Sequence, residues 1–154
     1  MTHRTVLVLV IEDGYEYTEA FQRLGSGGGA EPKLRRAGDA EQAREVLAAE
    51  AVDAVFVDMV FDRIPPERLA GDLGELVLRF GGDRRRAEDH LARNQGFYIL
   101  DALAPLLAPA KRLILAWDFG AEPDRLEALR ERFPNLSDLP EGTPITTVFQ
   151  SLLG

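Results

Sequence analysis

Two apolar runs that each end in acid constrain this chain more than any other feature. Val6-Leu7-Val8-Leu9-Val10-Ile11 runs into Glu12-Asp13, and Val55-Phe56-Val57 runs into Asp58. Neither run alternates with polar residues, which is the pattern of a central parallel strand covered on both faces. With both strands in one parallel sheet, the three carboxylates converge at one edge. Such an edge attracts a divalent cation, and the cation allows it to receive a phosphoryl group. The run Val6 to Ile11 is too short for a signal or membrane-spanning segment and reads as a strand.

A chain of 154 residues can bury one sizeable core, and nothing in the composition divides it, so one domain over 1–154 is expected. The 18 Lys and Arg against 26 Asp and Glu give a formal charge of -8, which disfavours a broad nucleic-acid footprint. Arg84-Arg85-Arg86 is too short to reverse that and reads as a solvated face. The absence of Cys excludes disulfide and thiolate chemistry. His3 and His90 are far apart and have no neighbouring Cys or paired His, so a structural zinc site is not supported; His90 reads as exposed. A soluble cytoplasmic protein with neither nucleic acid nor membrane as partner is the expectation.

Strand and helix signals alternate along the chain. A helix is predicted from about Tyr15 to Leu24 with Ala20, Phe21 and Leu24 inward, and Ser26-Gly27-Gly28-Gly29 reads as a flexible link without P-loop spacing. A short strand at Lys33 to Arg36 leads to Asp39, a candidate cap for a helix reaching about Ala49 on which Ala43, Val46 and Leu47 share a face. After Ala54 to Val57, the residues Leu69, Leu73, Leu76, Val77 and Phe80 share a helical face, read as an extra helix packed over the sheet. Gly81-Gly82 and a charged run through Asp89 follow. A helix over Gln95 to Leu107, a strand over Arg112 to Ala116, a helix over Pro123 to Phe133 and a last amphipathic helix bearing Ile145, Val148, Phe149 and Leu152 complete the pattern. The expected fold is therefore α/β: a three-layer, doubly wound, five-stranded parallel sheet, with ligands outside the C-terminal strand ends.

Val10-Ile11-Glu12-Asp13, Arg36-Ala37-Gly38-Asp39-Ala40-Glu41-Gln42-Ala43, Val55-Phe56-Val57-Asp58-Met59-Val60 and Gly96-Phe97-Tyr98-Ile99-Leu100 follow one another in an order that resembles the receiver domain of bacterial two-component response regulators. The resemblance spans nearly the whole chain and implies the flavodoxin-like receiver fold, with an inserted helical segment at 62–95 after the third strand. It implies Asp58 as phosphoacceptor. It also implies Mg2+ held by Asp13, Asp58 and the Val60 backbone carbonyl, with Glu12 acting through water or orienting the site.

The chain departs from the family at two places. Where the family has a Lys before a Pro at the end of the fifth strand, this chain has Leu139 before Pro140, and the family's Thr or Ser after the fourth strand falls on Ala116 or Trp117. Arg63, an Arg of the insertion, or Asn94 is a candidate substitute for the missing cation. Asp62 and Asp118 follow strand ends and are candidates to join a metal cluster, against a reading as solvated loop residues or caps. Asp118 is the better candidate for a polar role near the pocket. Trp117 gates the pocket, contacts a partner or packs in the core. The departures point to an atypical or pseudo-receiver subtype. The expected function is a signal-transduction module acting through protein contacts, on a face formed by 123–133 and the terminal helix. Its partner would be a histidine kinase or a downstream signalling protein, with a homodimer as a further possibility. With no output segment in these 154 residues, output is expected to pass through protein contact. A phosphorylation-independent interaction protein is the alternative. A Mg2+-dependent hydrolase using Glu12, Asp13 and Asp58 ranks last, because no general acid or base is evident and the two-Asp hydrolase signature is absent.

Overall fold

The computed structural model describes residues 4–25 and 30–154. The segment Ser26-Gly27-Gly28-Gly29 and His3 lie outside the described residues. Five strands form one parallel sheet: β1 (Arg4–Ile11), β2 (Ala30–Ala37), β3 (Ala54–Val57), β4 (Arg112–Leu115) and β5 (Leu136–Ser137), in the order β2-β1-β3-β4-β5. This is the flavodoxin-like order that the resemblance implies.

Unbroken apolarity in β1 and β3 has a direct structural cause. Side chains alternate across a strand, so Leu9, Ile11, Val55 and Val57 enter one core layer while Val8, Val10, Ala54 and Phe56 enter the other. All eight are fully buried. The first layer is covered by α2 (Ala40–Ala49), α5 (Gln95–Leu107) and α6 (Pro123–Arg132), the second by α1 (Glu16–Leu24) and α7 (Ile145–Leu153). Asp39 caps α2 as expected, its Oδ1 accepting the Gln42 N–H at 2.8 Å. Ile99, Leu100, Leu103 and Leu107 of α5 are buried as their spacing requires.

Three sequence expectations need correction. The strand read at Lys33 to Arg36 runs the full length of β1, because its mixed polarity is that of an edge strand with one wet side. In α1, Phe21 and Thr18 point inward, whereas Leu24, its last residue, is exposed. The inserted apolar stretch also leaves the sheet after Leu69 and Ala70, which pack on the main core. It forms α3 (Leu73–Arg79), which packs on α4 (Arg84–Arg93), a helix hidden in the charged run. Leu76, Ala87 and Leu91 make a small separate core there, bordered by Leu69, Leu73, Val77, Phe80 and Tyr98. His90 is half-buried between the Phe80 and Tyr98 rings rather than exposed. Arg84, Arg85 and Arg86 form the solvated face expected of them.

Gln95 joins this insertion to the rest of the molecule. Its buried amide accepts the Ala70 N–H (2.6 Å) and donates to the carbonyls of Ala70 (3.0 Å) and Leu91 (3.2 Å). Removing one member of such a network leaves the others desolvated and unpaired. Gln95→Ala is therefore expected to cost about 2 kcal/mol, measured by urea unfolding. Amide exchange at Ala70 should rise more than in β1 or β3. Unchanged exchange at Ala70 would remove this account of how the insertion is held.

Candidate functional site

Sheet order reverses at β1, so the crevice outside the C-terminal ends of β1 and β3 is where this fold accepts ligands. Glu12, Asp13 and Asp58 all lie there. Ile11 is level with Val57, and Val57 with Leu115. The Asp58 N–H donates to Ile11 O at 2.9 Å and the Ala116 N–H to Val57 O at 2.8 Å. Glu12, Asp58 and Ala116 are thus neighbours along the sheet edge, and the register assigns Ala116, not Trp117, to the place beside Asp58.

The three carboxylates are held differently. Glu12 is buried and committed to the first turn of α1: Oε1 accepts the Tyr17 N–H (3.1 Å), and Oε2 accepts the Thr18 N–H and Thr18 Oγ1–H (both 2.7 Å). It satisfies amides that a helix N-terminus leaves unpaired. Asp13 accepts the Arg63 backbone N–H on Oδ2 at 2.9 Å. Asp58 is half-buried and accepts the Met59 N–H on Oδ1 at 2.8 Å. Burial pushes the Asp58 carboxyl up to about 6, with the charges of Asp13, Glu12 and Glu16 adding to the effect and the Met59 N–H opposing it. Tyr17 senses the same pocket: burial first, then the Asp58, Glu12 and Glu16 charges, raise its phenol. Its ring lies 4.4 Å from that of Phe56.

Two arginines shape the loop after β1. Arg36 donates through Nε to Gly14 O and through Nη2 to Asp13 O, and its guanidinium lies 3.9 Å from the centre of the Tyr15 ring. Arg63 pairs with Glu16 across Gly14, where a Cβ would run into both side chains. That pairing holds the Glu16 carboxyl below its ordinary range.

Other candidates are occupied elsewhere. Asp118 accepts the Gly120 N–H (2.7 Å) and the Glu141 N–H (2.8 Å), tying the loop after β4 to the loop after β5. Those two bonds hold its carboxyl low. Asp62 is exposed. Asn94 donates to His90 O at 2.9 Å, within its own helix end. Trp117 is half-buried and edge-on to Phe97, its indole N–H directed at Glu122 Oε1 (3.4 Å), so its contacts are those of a packed residue. Leu139 packs on the second core layer, and its N–H donates to Trp117 O at 3.0 Å.

Among the described residues, no group of three or more His, Cys, Asp and Glu side chains is placed to hold a metal. Asp13 and Asp58 each keep one carboxylate oxygen free of the bonds above, and Val60 O accepts no hydrogen bond among the described residues. Two carboxylate oxygens and one carbonyl form a hard, incomplete donor set, suited to a small divalent cation that retains several waters. No helix among the described residues is long and apolar enough to cross a membrane.

No family model matches this sequence, and no curated protein does. Solved structures do. The chain is similar to the receiver domain of a Francisella response regulator, 1452 (11% identity, TM-score 0.55, covering 96% of this chain and 93% of that one). It is also similar to the receiver domain of the hybrid histidine kinase CckA (17%, 0.51, covering 94% of each). A third match is a Burkholderia pseudomallei response regulator solved with a phosphorylated aspartic acid, calcium ion and citrate (15%, 0.52, covering 97% of this chain and 66% of that one). The chain has the receiver fold.

Within that fold, the additional helices α3 and α4 lie between β3 and α5. Several residues that shape the site carry little or no sequence signal. Gln95 looks like an ordinary helix residue, and Tyr17 looks like a surface position of α1; Gly96 opens a recognised motif, but its close approach to the Asp58 backbone has no sequence signal. Arg36 stands inside a recognised motif, yet its grip on the Asp13 and Gly14 carbonyls follows only from the β2–β1 register. Helix α4, read from the sequence only as a charged run, does carry a usable signal: Asp83 is a capping residue, and Ala87 and Leu91 stand at i, i+4.

Proposed function

We propose that this chain is a receiver-like signal-transduction module that works through protein contacts, with Asp58 as its phosphoryl acceptor. The observation that carries this reading is the convergence of Asp13 and Asp58 at the switch point of the sheet. The Asp13 and Asp58 carboxylates and the Val60 carbonyl would hold Mg2+, which when bound neutralises charge on the acceptor and the incoming phosphoryl group. Glu12 keeps the loop in place by anchoring it to α1.

A carboxylate oxygen of Asp58 attacks phosphorus in line. The bond from phosphorus to the donor breaks, and its electron pair leaves on the donor's imidazole nitrogen or carboxylate oxygen. The product is an aspartyl phosphate. Incubation with Mg2+ and a small acyl phosphate is expected to add one phosphoryl group, seen by intact mass as an acid-stable, base-labile label absent from Asp58→Asn. No label, with the donor verified on an active receiver, would overturn the acceptor role.

A second reading, a phosphorylation-independent interaction module, is favoured by Ala116 beside Asp58 and Leu139 at the end of β5. Neither side chain can bond an oxyanion. The contact face under both readings is the β5 side of the sheet. There, α6 buries none of its residues completely, and a shallow cleft of about 500 Å³ is lined by Phe119, Pro123, Leu126 and Arg130 among others. A histidine kinase or downstream signalling protein is the partner class this reading implies.

A further inference from the structure

An acidic edge that receives an oxyanion needs a cation besides any metal, and the end of β5 provides only Leu139. The structure contains a different one. Asp13 takes the Arg63 backbone N–H at 2.9 Å, which fixes the Arg63 main chain at the mouth of the crevice. The guanidinium is exposed and bonded to Glu16, itself exposed on the first turn of α1. Gly14 leaves room for that pair and for its movement, since any side chain there would occupy the same space. Arg36, the strand β2 arginine that also reaches this loop, is committed to two carbonyls and an aromatic ring.

We propose that Arg63 is the anion-positioning residue of this site: held by Glu16 at rest, its guanidinium turns onto an oxyanion bound at Asp58. The inference rests on the phosphoryl-acceptor reading and names the residue that replaces the missing Lys. An exposed ion pair is worth little and is exchanged readily. A guanidinium presented to a phosphoryl-type anion forms planar, charge-assisted bonds that are stronger. Glu16 therefore competes with the ligand for one cation, so its removal should strengthen binding rather than weaken it. Loss of a negative charge beside Asp58 would by itself favour an anion, so the gain must depend on Arg63: Glu16→Gln should strengthen binding in the parent and not in the Arg63→Ala background.

The test uses the full chain, Mg2+ and beryllium trifluoride as the phosphoryl mimic, read as ligand-dependent shift in melting temperature and as apparent Kd. In the parent, beryllium trifluoride with Mg2+ should raise the melting temperature beyond Mg2+ alone. Arg63→Ala should weaken mimic binding about tenfold, the loss of one charge-assisted contact, while the response to Mg2+ alone persists. Arg63→Lys should recover part of the loss, and Glu16→Gln should bind more tightly than the parent. Equal binding by parent and Arg63→Ala would overturn this inference and leave the acceptor reading standing. No response of the parent to the mimic would remove both.

Discussion

Asp58→Asn is expected to stabilise the metal-free protein at neutral pH by about 3 kcal/mol, because a carboxyl raised from 3.8 to about 6 opposes folding whenever it is ionised. The folded state holds the Asp58 proton more tightly than the unfolded chain does. Stability therefore falls as pH rises between about 4 and 6, and the whole penalty is present above that window. Below it, both states are protonated and the penalty vanishes. Asparagine keeps the shape and an oxygen for the Met59 N–H, so packing is nearly unchanged. For a chain of this size, 1 kcal/mol corresponds to roughly 2–4 °C in melting temperature, so the variant should melt about 6–12 °C higher at pH 7.5 in EDTA. The gap should close towards pH 4. With the proposed Mg2+ site it should also narrow in Mg2+, which would stabilise the ionised parent and have less to bind in the variant. An equal gap at pH 4 and pH 7.5 would mean that ionisation of Asp58 is not its source.

The same balance explains which parts of the molecule could be read in advance. The order of elements and the acidic edge follow from strong local signals: fully apolar strands, an Asp cap at position 39, and helical spacing from Ile99 to Leu107. The strand signal arises from burial on two faces, the cap from unpaired amides at a helix start and the helical spacing from one buried face, and each is local to its own segment. The fate of Glu12 was less legible, because a buried carboxylate on a helix N-terminus and a carboxylate facing a cation look the same in sequence. Only the Tyr17 and Thr18 amides distinguish them. The insertion misled for a related reason. Leu69, Leu73, Leu76, Val77 and Phe80 announce an apolar face but not what covers it; Ala87 and Leu91 of α4 cover it, and of the five only Leu69 also packs on the core over the sheet.

Two local substitutions of the same kind separate the site from its surroundings. Gly96 sits at the start of α5, where its N–H donates to Met59 O at 3.0 Å and a Cβ would come within 2.9 Å of Asp58 O and 3.1 Å of Met59 Cα. The nearest atom is Leu115 Cδ1 at 2.8 Å, but these two opposing atoms are backbone. They cannot retreat, because the Asp58 N–H is bonded to Ile11 O and the Phe61 N–H to Ala92 O. Gly96→Val is therefore expected to cost about 3 kcal/mol through overpacking. Gly96→Ala should cost less, since the helix propensity of alanine offsets part of the clash.

Gly74, on the exposed side of α3, provides the control: the nearest atom to a Cβ there is Asp72 Oδ1 at 3.4 Å. Gly74→Ala should be neutral or stabilising by about 0.5 kcal/mol. Because the Gly96 clash falls on the carbonyl of the proposed acceptor itself, any folded Gly96→Ala should also label more slowly with phosphodonor, whereas Gly74→Ala should label at the parent rate. Urea unfolding and single-turnover labelling of the two variants check both halves. If Gly96→Ala proves as stable and as reactive as the parent, α5 does not approach β3 this closely, and the Asp58 backbone is not held by the start of that helix.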